Sequence, residues 1–309
     1  MGLCVHHREK GPVTKPSIFA IGIGFMLIAG CGAPEQSPSP QLYEVPTTLN
    51  GFRHEAWFLP DDDLLGFVEI LAGPFLMGSD PAVDPQAFDN ERWSSQETQG
   101  TVDLPRFFVS RTEVTVAQFL AFVIETGTSV SDDALSGQPA HPVASVSWPD
   151  AVAYCRWLDT TLRNWPGTPT VLRDLLRDGW HVTLPNEAEW EKAARGINGQ
   201  VYPWGNELNA NIGNYDSPGV RPVGSVECPT CAFGLNDMSG NVWELTRSAY
   251  RPYPFTANAA VGLQTDALFV MRGGSYIDQA NTVRAAVRGG TDPGVRRPFI
   301  GFRVVISRF

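Results

Sequence analysis

From Gly234 to Glu244 the chain reads GLNDMSGNVWE, and from Arg272 to Tyr276 it reads RGGSY. Gly240, Gly273 and Gly274 suit tight backbone turns that a Cβ would crowd. Trp243 is a large, stiff side chain of the kind that pins such loops. Asp237 and Glu244 place a carboxylate on either side of the Gly240 turn. Between Ala232 and Phe309 there is neither a cysteine nor a histidine, so this C-terminal stretch offers no thiolate and no imidazole.

Outward from these strings, the composition describes a loop-rich α+β domain with few long regular elements. Thirty glycines and 25 prolines in 309 residues exceed the usual share of about 12%. Phe67 to Met77 reads as two short strands around Gly73-Pro74, and Phe107-Phe108-Val109 as a third. Thr115 with Gln118 three residues on predicts a capped helix that buries Val116, Phe119, Leu120 and Val123 and stops at Gly127. A second helix has Pro149 in its first turn and Val152, Cys155 and Leu158 on one face. Between Thr160 and Gly179 lies an apparent insertion with its own short helix, VLRDLLRDG. Asn186 and Glu189 form a reciprocal capping pair for a third helix that ends at Gly196. Gly301-Phe302-Arg303-Val304-Val305 reads as a final strand.

HPVASVSWPDAVAYCRWL, LPNEAEWEKAARG, YPWGNE, ANIGN, PVGS, GLNDMSGNVWELT, RGGSY and GFRVV follow one another along the chain. In that order the set resembles the formylglycine-generating enzyme, or sulfatase-modifying factor, family, over nearly the whole mature domain from about Leu71 to Val305. The resemblance implies a single compact domain, a variant of the C-type lectin fold, in which glycine- and tryptophan-rich loops line a surface groove. The oxidase members of the family bind copper through two cysteines downstream of the GGS-aromatic string and oxidise a substrate cysteine with dioxygen. Asp278 and Val283 occupy those positions here. The soft thiolate ligands that Cu(I) requires are absent, so copper is not expected. The family's structural bridge from the position of Cys155 to the GFRC cysteine is also lost, because Val304 stands at the second position.

The resemblance further implies calcium as a structural cofactor. Its ligands match Asp237 and Glu244 with the carbonyls of Gly240 and Val242, hard oxygens on a glycine-turned loop. A second family site matches Asn211 and the carbonyl of Ile212, with Asp216 as the nearest acidic partner. Trp243, Ser275 and Asp278 are the groove residues. The competing reading is that Asp237 caps the turn and Glu244 accepts backbone bonds without metal. No nucleophile–base set is visible among Ser239, Ser275 and the carboxylates, so no catalytic residue is assigned.

The N-terminus carries Arg8, Lys10 and Lys15, an apolar run from Ile18 to Ala29, and Ile28-Ala29-Gly30-Cys31. This reads as a bacterial lipoprotein signal over residues 1–30, with Cys31 as the lipidated first residue of the mature protein. Residues 31–60 read as a Pro/Ser-rich tether and 61–309 as the folded domain. The location implied is the cell envelope, on the outer membrane or the periplasmic face. Cys228-Pro-Thr-Cys231 is read as a small disulfide, with a reduced pair, pairing elsewhere or a redox role left open; Cys155 is read as a buried free thiol. The chain holds 23 Lys+Arg against 33 Asp+Glu. Residues 1–30 carry three of those cations and one carboxylate, which leaves the remainder at −12. That acidity argues against nucleic acid as a partner. The sequence thus points to a lipid-anchored domain without oxidase activity that binds a peptide, glycan or protein. The alternatives are a modifying enzyme using other ligands and a structural part of an envelope complex.

Overall fold

The computed structural model describes residues 46, 48–255 and 267–308. The signal segment and Cys31 lie outside the described residues. In chain order the elements are β1 (Phe52–Arg53), β2 (Leu59–Pro60), β3 (Phe67–Ile70), β4 (Gly73–Gly78), β5 (Gln99–Leu104) and β6 (Phe107–Ser110). They continue with α1 (Val116–Thr126), α2 (Asp132–Leu135), α3 (Trp148–Asn164), α4 (Thr170–Arg177), β7 (His181–Thr183) and α5 (Glu187–Arg195). The C-terminal part adds β8 (Trp243–Ala249), β9 (Phe269–Arg272), β10 (Arg288–Thr291), β11 (Ile300–Gly301) and β12 (Val305–Ser307). Two four-stranded sheets, ordered β10-β9-β8-β11 and β3-β6-β12-β7, are accompanied by the two-stranded pairs β1-β2 and β4-β5.

Local chemistry accounts for the helix ends. Thr115 and Gln118 satisfy each other's backbone groups at the start of α1, and Gly127 ends it at φ 63°. Ser147 pairs in the same way with Asp150 ahead of α3, and Asn186 with Glu189 ahead of α5. The folded part begins before the expected boundary at Asp61. Ala56, Phe58 and Leu59 are buried, and Gln118 Nε2 donates to the Phe58 carbonyl at 2.9 Å. Within the run Ala56-Trp57-Phe58-Leu59, Ala56, Phe58 and Leu59 bury apolar side chains ahead of that boundary.

The larger apolar cluster joins α1, α3 and α4 to both four-stranded sheets, with Phe119, Tyr154 and Phe302 in mutual ring contact. A second cluster packs β4 and β5 against Trp190, Ala193 and Ala194 of α5. Between them runs a set of buried ion pairs. Arg272 pairs with Glu191, Arg288 with Glu187 (2.5 Å), Arg284 with Glu91 (2.7 Å) and Arg303 with Glu244 (2.6 Å).

GFRVV is not one strand. Gly301 lies in β11, which runs parallel to β8, while Val305 opens β12 between β6 and β7 in the other sheet. Phe302 to Val304 carries the chain from one sheet to the other, and this aims Arg303 at Glu244.

Candidate functional site

Two left-handed glycines, Gly273 at φ 93° and Gly274 at φ 69°, turn the chain after β9. A Cβ on Gly274 would stand 2.7 Å from Val283 Cγ1 and 3.0 Å from the Thr282 carbonyl oxygen, so the turn requires glycine. It delivers Ser275 to Asp278. Asp278 Oδ2 accepts from the Ser275 N–H (2.9 Å), the Ser275 hydroxyl (2.6 Å) and the Trp243 indole N–H (2.8 Å). The three residues expected in the groove are therefore brought together, with Asp278 half-buried and Ile277 beside it 52% exposed. The neighbouring loop supports them: the Asp216 N–H donates to the Asp278 carbonyl and the Ser217 N–H to the Tyr276 carbonyl, both at 2.8 Å.

Val283 is fully buried and packs with Val201 and Tyr202. The two positions that the resemblance matches to the oxidase cysteines thus hold a carboxylate committed to three donors and a branched hydrocarbon. Among the described residues no other thiol substitutes. Cys228 and Cys231 are joined in a disulfide. Cys155 is free but buried, and burial pushes its thiol far above the ordinary cysteine range. Among the described residues no free thiol is accessible.

Asp237, at φ 58°, accepts the Gly224 N–H at 2.6 Å. Gly240, at φ 89°, lies so close to Asn214 that a Cβ would meet its carbonyl oxygen at 2.1 Å. Val242 is buried one residue before β8. Glu244 is fully buried; its oxygens accept from Arg303 (2.6 and 2.7 Å) and from the Trp190 indole (2.6 Å). One residue absent from the sequence reading joins them. Glu113 is buried and accepts from Asn241 Nδ2 at 3.1 Å, while its Oε2 has no partner. Burial pushes the Glu113 carboxyl well above the usual range, and the nearby Asp237 and Glu244 charges reinforce this against Arg303. Burial also raises Asp237. Three inward carboxylates thus face Arg303, with Arg221 acting on Asp237 as well, and their raised pKa directions show that these cations do not fully offset the burial of the negative charge. Among the described residues no three His, Cys, Asp or Glu side chains converge closely enough to hold a metal by themselves, so backbone carbonyls would have to supply part of the shell.

The second expected loop does not fit a metal. Arg221 Nη2 donates to the Ile212 carbonyl at 2.8 Å, which puts a guanidinium where the cation would sit. Asn211 is exposed, and Asp216 is exposed with its backbone bonded to the Asp278 loop.

One mixed and one antiparallel four-stranded sheet, braced by buried arginine–carboxylate pairs, with a GGS turn against a tryptophan, define a formylglycine-generating-type scaffold. Residues 59–308 match the Sulfatase-modifying factor enzyme 1-like domain, and the chain belongs to that family. It is 34% identical over 185 residues to the Inactive C-alpha-formylglycine-generating enzyme 2 of Mus musculus, covering 54% of this chain and 49% of that protein. To the Formylglycine-generating enzyme of Streptomyces coelicolor it is 33% identical over 190 residues, covering 55% and 54%. The chain thus spans about half the length of these relatives. The solved structure of PvdO from Pseudomonas aeruginosa superposes with a TM-score of 0.62 at 24% identity, over 78% of this chain and 94% of that one, a likeness of fold.

Proposed function

We propose that this protein is a non-oxidase member of its family, a lipid-anchored extracytoplasmic domain whose surface around Trp243, Ser275 and Asp278 binds a peptide, glycan or protein partner. The observation that carries this reading is the committed state of Asp278 together with the burial of Val283. A copper oxidase needs two soft ligands free to meet metal and substrate, and these side chains supply neither. The Mus musculus relative, whose name calls it inactive, supports the reading by example. In the same proposal Asp237 and the carbonyls of Gly240 and Val242 hold one calcium ion, and Glu244 joins them by releasing the Arg303 guanidinium that its two oxygens accept in this structure. Its role is to offset the excess of buried carboxylate charge.

The test is incubation of the purified protein with a cysteine-containing sulfatase peptide, with and without copper, read by mass spectrometry for loss of sulfur. No conversion is expected. Turnover by the wild type that disappears in Cys228→Ser would overturn the reading and move chemistry to the CPTC loop.

A further inference from the structure

Five of the nine tryptophans are only partly buried, and three of these five gather on one face. Trp57, Trp157 and Trp165 are each half-buried, with Trp57 set edge-to-face against the other two at 6.1 and 5.4 Å between ring centroids. They come from three places: the turn between β1 and β2, the middle of α3 and the residue that ends it. Trp57 and Phe58 both hold positive φ, 52° and 59°, a conformation that bulky residues avoid. At Trp57 it keeps the indole against its two neighbours. Ile124, 54% exposed, lies on the last turn of α1 beside Glu125. The Trp57 indole N–H donates to Glu125 Oε1, and that of Trp157 to Oε2 at 3.0 Å. No cation pairs with Glu125 among the described residues.

We propose that this face docks on a lipid bilayer at the boundary between headgroups and acyl chains. Tryptophan favours that boundary because its ring is apolar and its N–H is not. Here two N–H groups already have an acceptor, so the ring bodies can meet acyl chains without stranding a donor. The charge on Glu125 limits the depth, since an unpaired carboxylate is costly in hydrocarbon. No helix among the described residues is long and apolar enough to cross a membrane, so the contact is peripheral. The choice of a bilayer follows from chain connectivity and rests on the lipid anchor proposed above. Fourteen residues separate Cys31 from Pro46, a span of at most about 50 Å when fully extended. Trp57 follows eleven residues later, so the aromatic face stands at the root of the tether.

The experiment uses the full-length protein in vesicles of phosphatidylethanolamine and phosphatidylglycerol whose acyl chains are brominated, with tryptophan emission as the readout and acylation of Cys31 read separately by mass spectrometry. Brominated chains are expected to quench the wild type. The Trp57→Phe, Trp157→Phe, Trp165→Phe triple variant, which keeps aromatic packing, should lose most of that quenching. Ile124→Asp, an exposed change, should weaken quenching while leaving the melting temperature in place. Emission that is the same in brominated and ordinary vesicles overturns the proposal, as does full quenching in the triple variant. If Cys31 proves unacylated the anchor reading fails by itself; vesicles are then added to the same protein, and quenching or its absence still decides the docking. A folded wild type that shows no quenching but retains a co-purifying protein on this face would identify a protein surface instead.

Discussion

Glu113 is the residue whose surroundings depart furthest from what a carboxylate prefers. It is fully enclosed, has one unpartnered oxygen, and faces Asp237 and Glu244 with Arg303 as the shared cation. Its folded pKa is raised, so the folded state holds a proton that the unfolded chain releases at an ordinary glutamate pKa of about 4.3. The stabilisation from that proton is complete below the unfolded value and is lost as pH rises through the folded one. Thermal melts from pH 5 upward should therefore show wild-type stability falling, and Glu113→Gln should flatten the slope by fixing the neutral form. A variant with the wild-type slope would remove Glu113 as the cause. Calcium, if it binds the Asp237 loop, competes with these protons. Its effect on melting temperature should accordingly grow with pH, vanish with chelator and be lost in Asp237→Asn. Equal melting in calcium and chelator at every pH would leave the loop without calcium. Glu113 could not be found from sequence. It stands two residues before a helix cap, where it reads as a strand end, and its partner Asn241 is 128 positions away.

At the scale of elements, the strings legible in the sequence prove to be the pieces of one charge-paired frame. EAEWEKAAR supplies Glu187 and Glu191, RGGSY supplies Arg272, NVWE supplies Glu244, and GFRVV supplies Arg303. Trp190 of α5 bonds Glu244 of β8, so the helix and the central strand are fixed to one another through a side chain each. Helix starts were legible because capping is decided within four residues, as at Thr115 and Asn186; the Ser147–Asp150 cap of the second helix emerged only in the structure. The break in GFRVV was not, because it depends on which sheet each half joins. Arg303 shows what the break secures. Its guanidinium reaches Glu244 and the carbonyls of Ser110, Arg111 and Asn236. Arg303→Met should cost about 3–5 kcal/mol in urea unfolding, because it leaves buried carboxylates uncompensated. Arg308→Met, at an exposed pair with Asp178, should cost at most about 1 kcal/mol. Equal losses in the two variants would mean that the buried frame carries no special weight.

For the whole molecule, the fold was legible because the motif strings occur in order along nearly the full domain, and the family match over residues 59–308 agrees with that reach. The expected groove residues were legible as a cluster: Trp243, Ser275 and Asp278 do meet, with Trp243 and Ser275 buried, but the two Ser275 donors on Asp278 come from a turn whose geometry depends on Gly274 fitting against Val283. At the second expected loop Arg221 reaches back to the Ile212 carbonyl from nine positions away, a contact that sequence spacing could not show. How the molecule is held in place is a matter of competing magnitudes. The chain after residue 30 is strongly acidic, so attraction to anionic lipid contributes nothing. Two or more acyl chains on Cys31 would add about 0.8 kcal/mol for each buried methylene, far more than three half-buried indoles can supply. Cys31→Ala should therefore abolish palmitate labelling and move most of the protein into the soluble fraction, with the aromatic face giving only a weak residual association. Wild-type protein should stay with membranes through a high-salt wash, because an acyl anchor is insensitive to screening. Unchanged membrane retention of Cys31→Ala would remove the lipid anchor and leave the tryptophan face, or a partner protein, as the means of attachment.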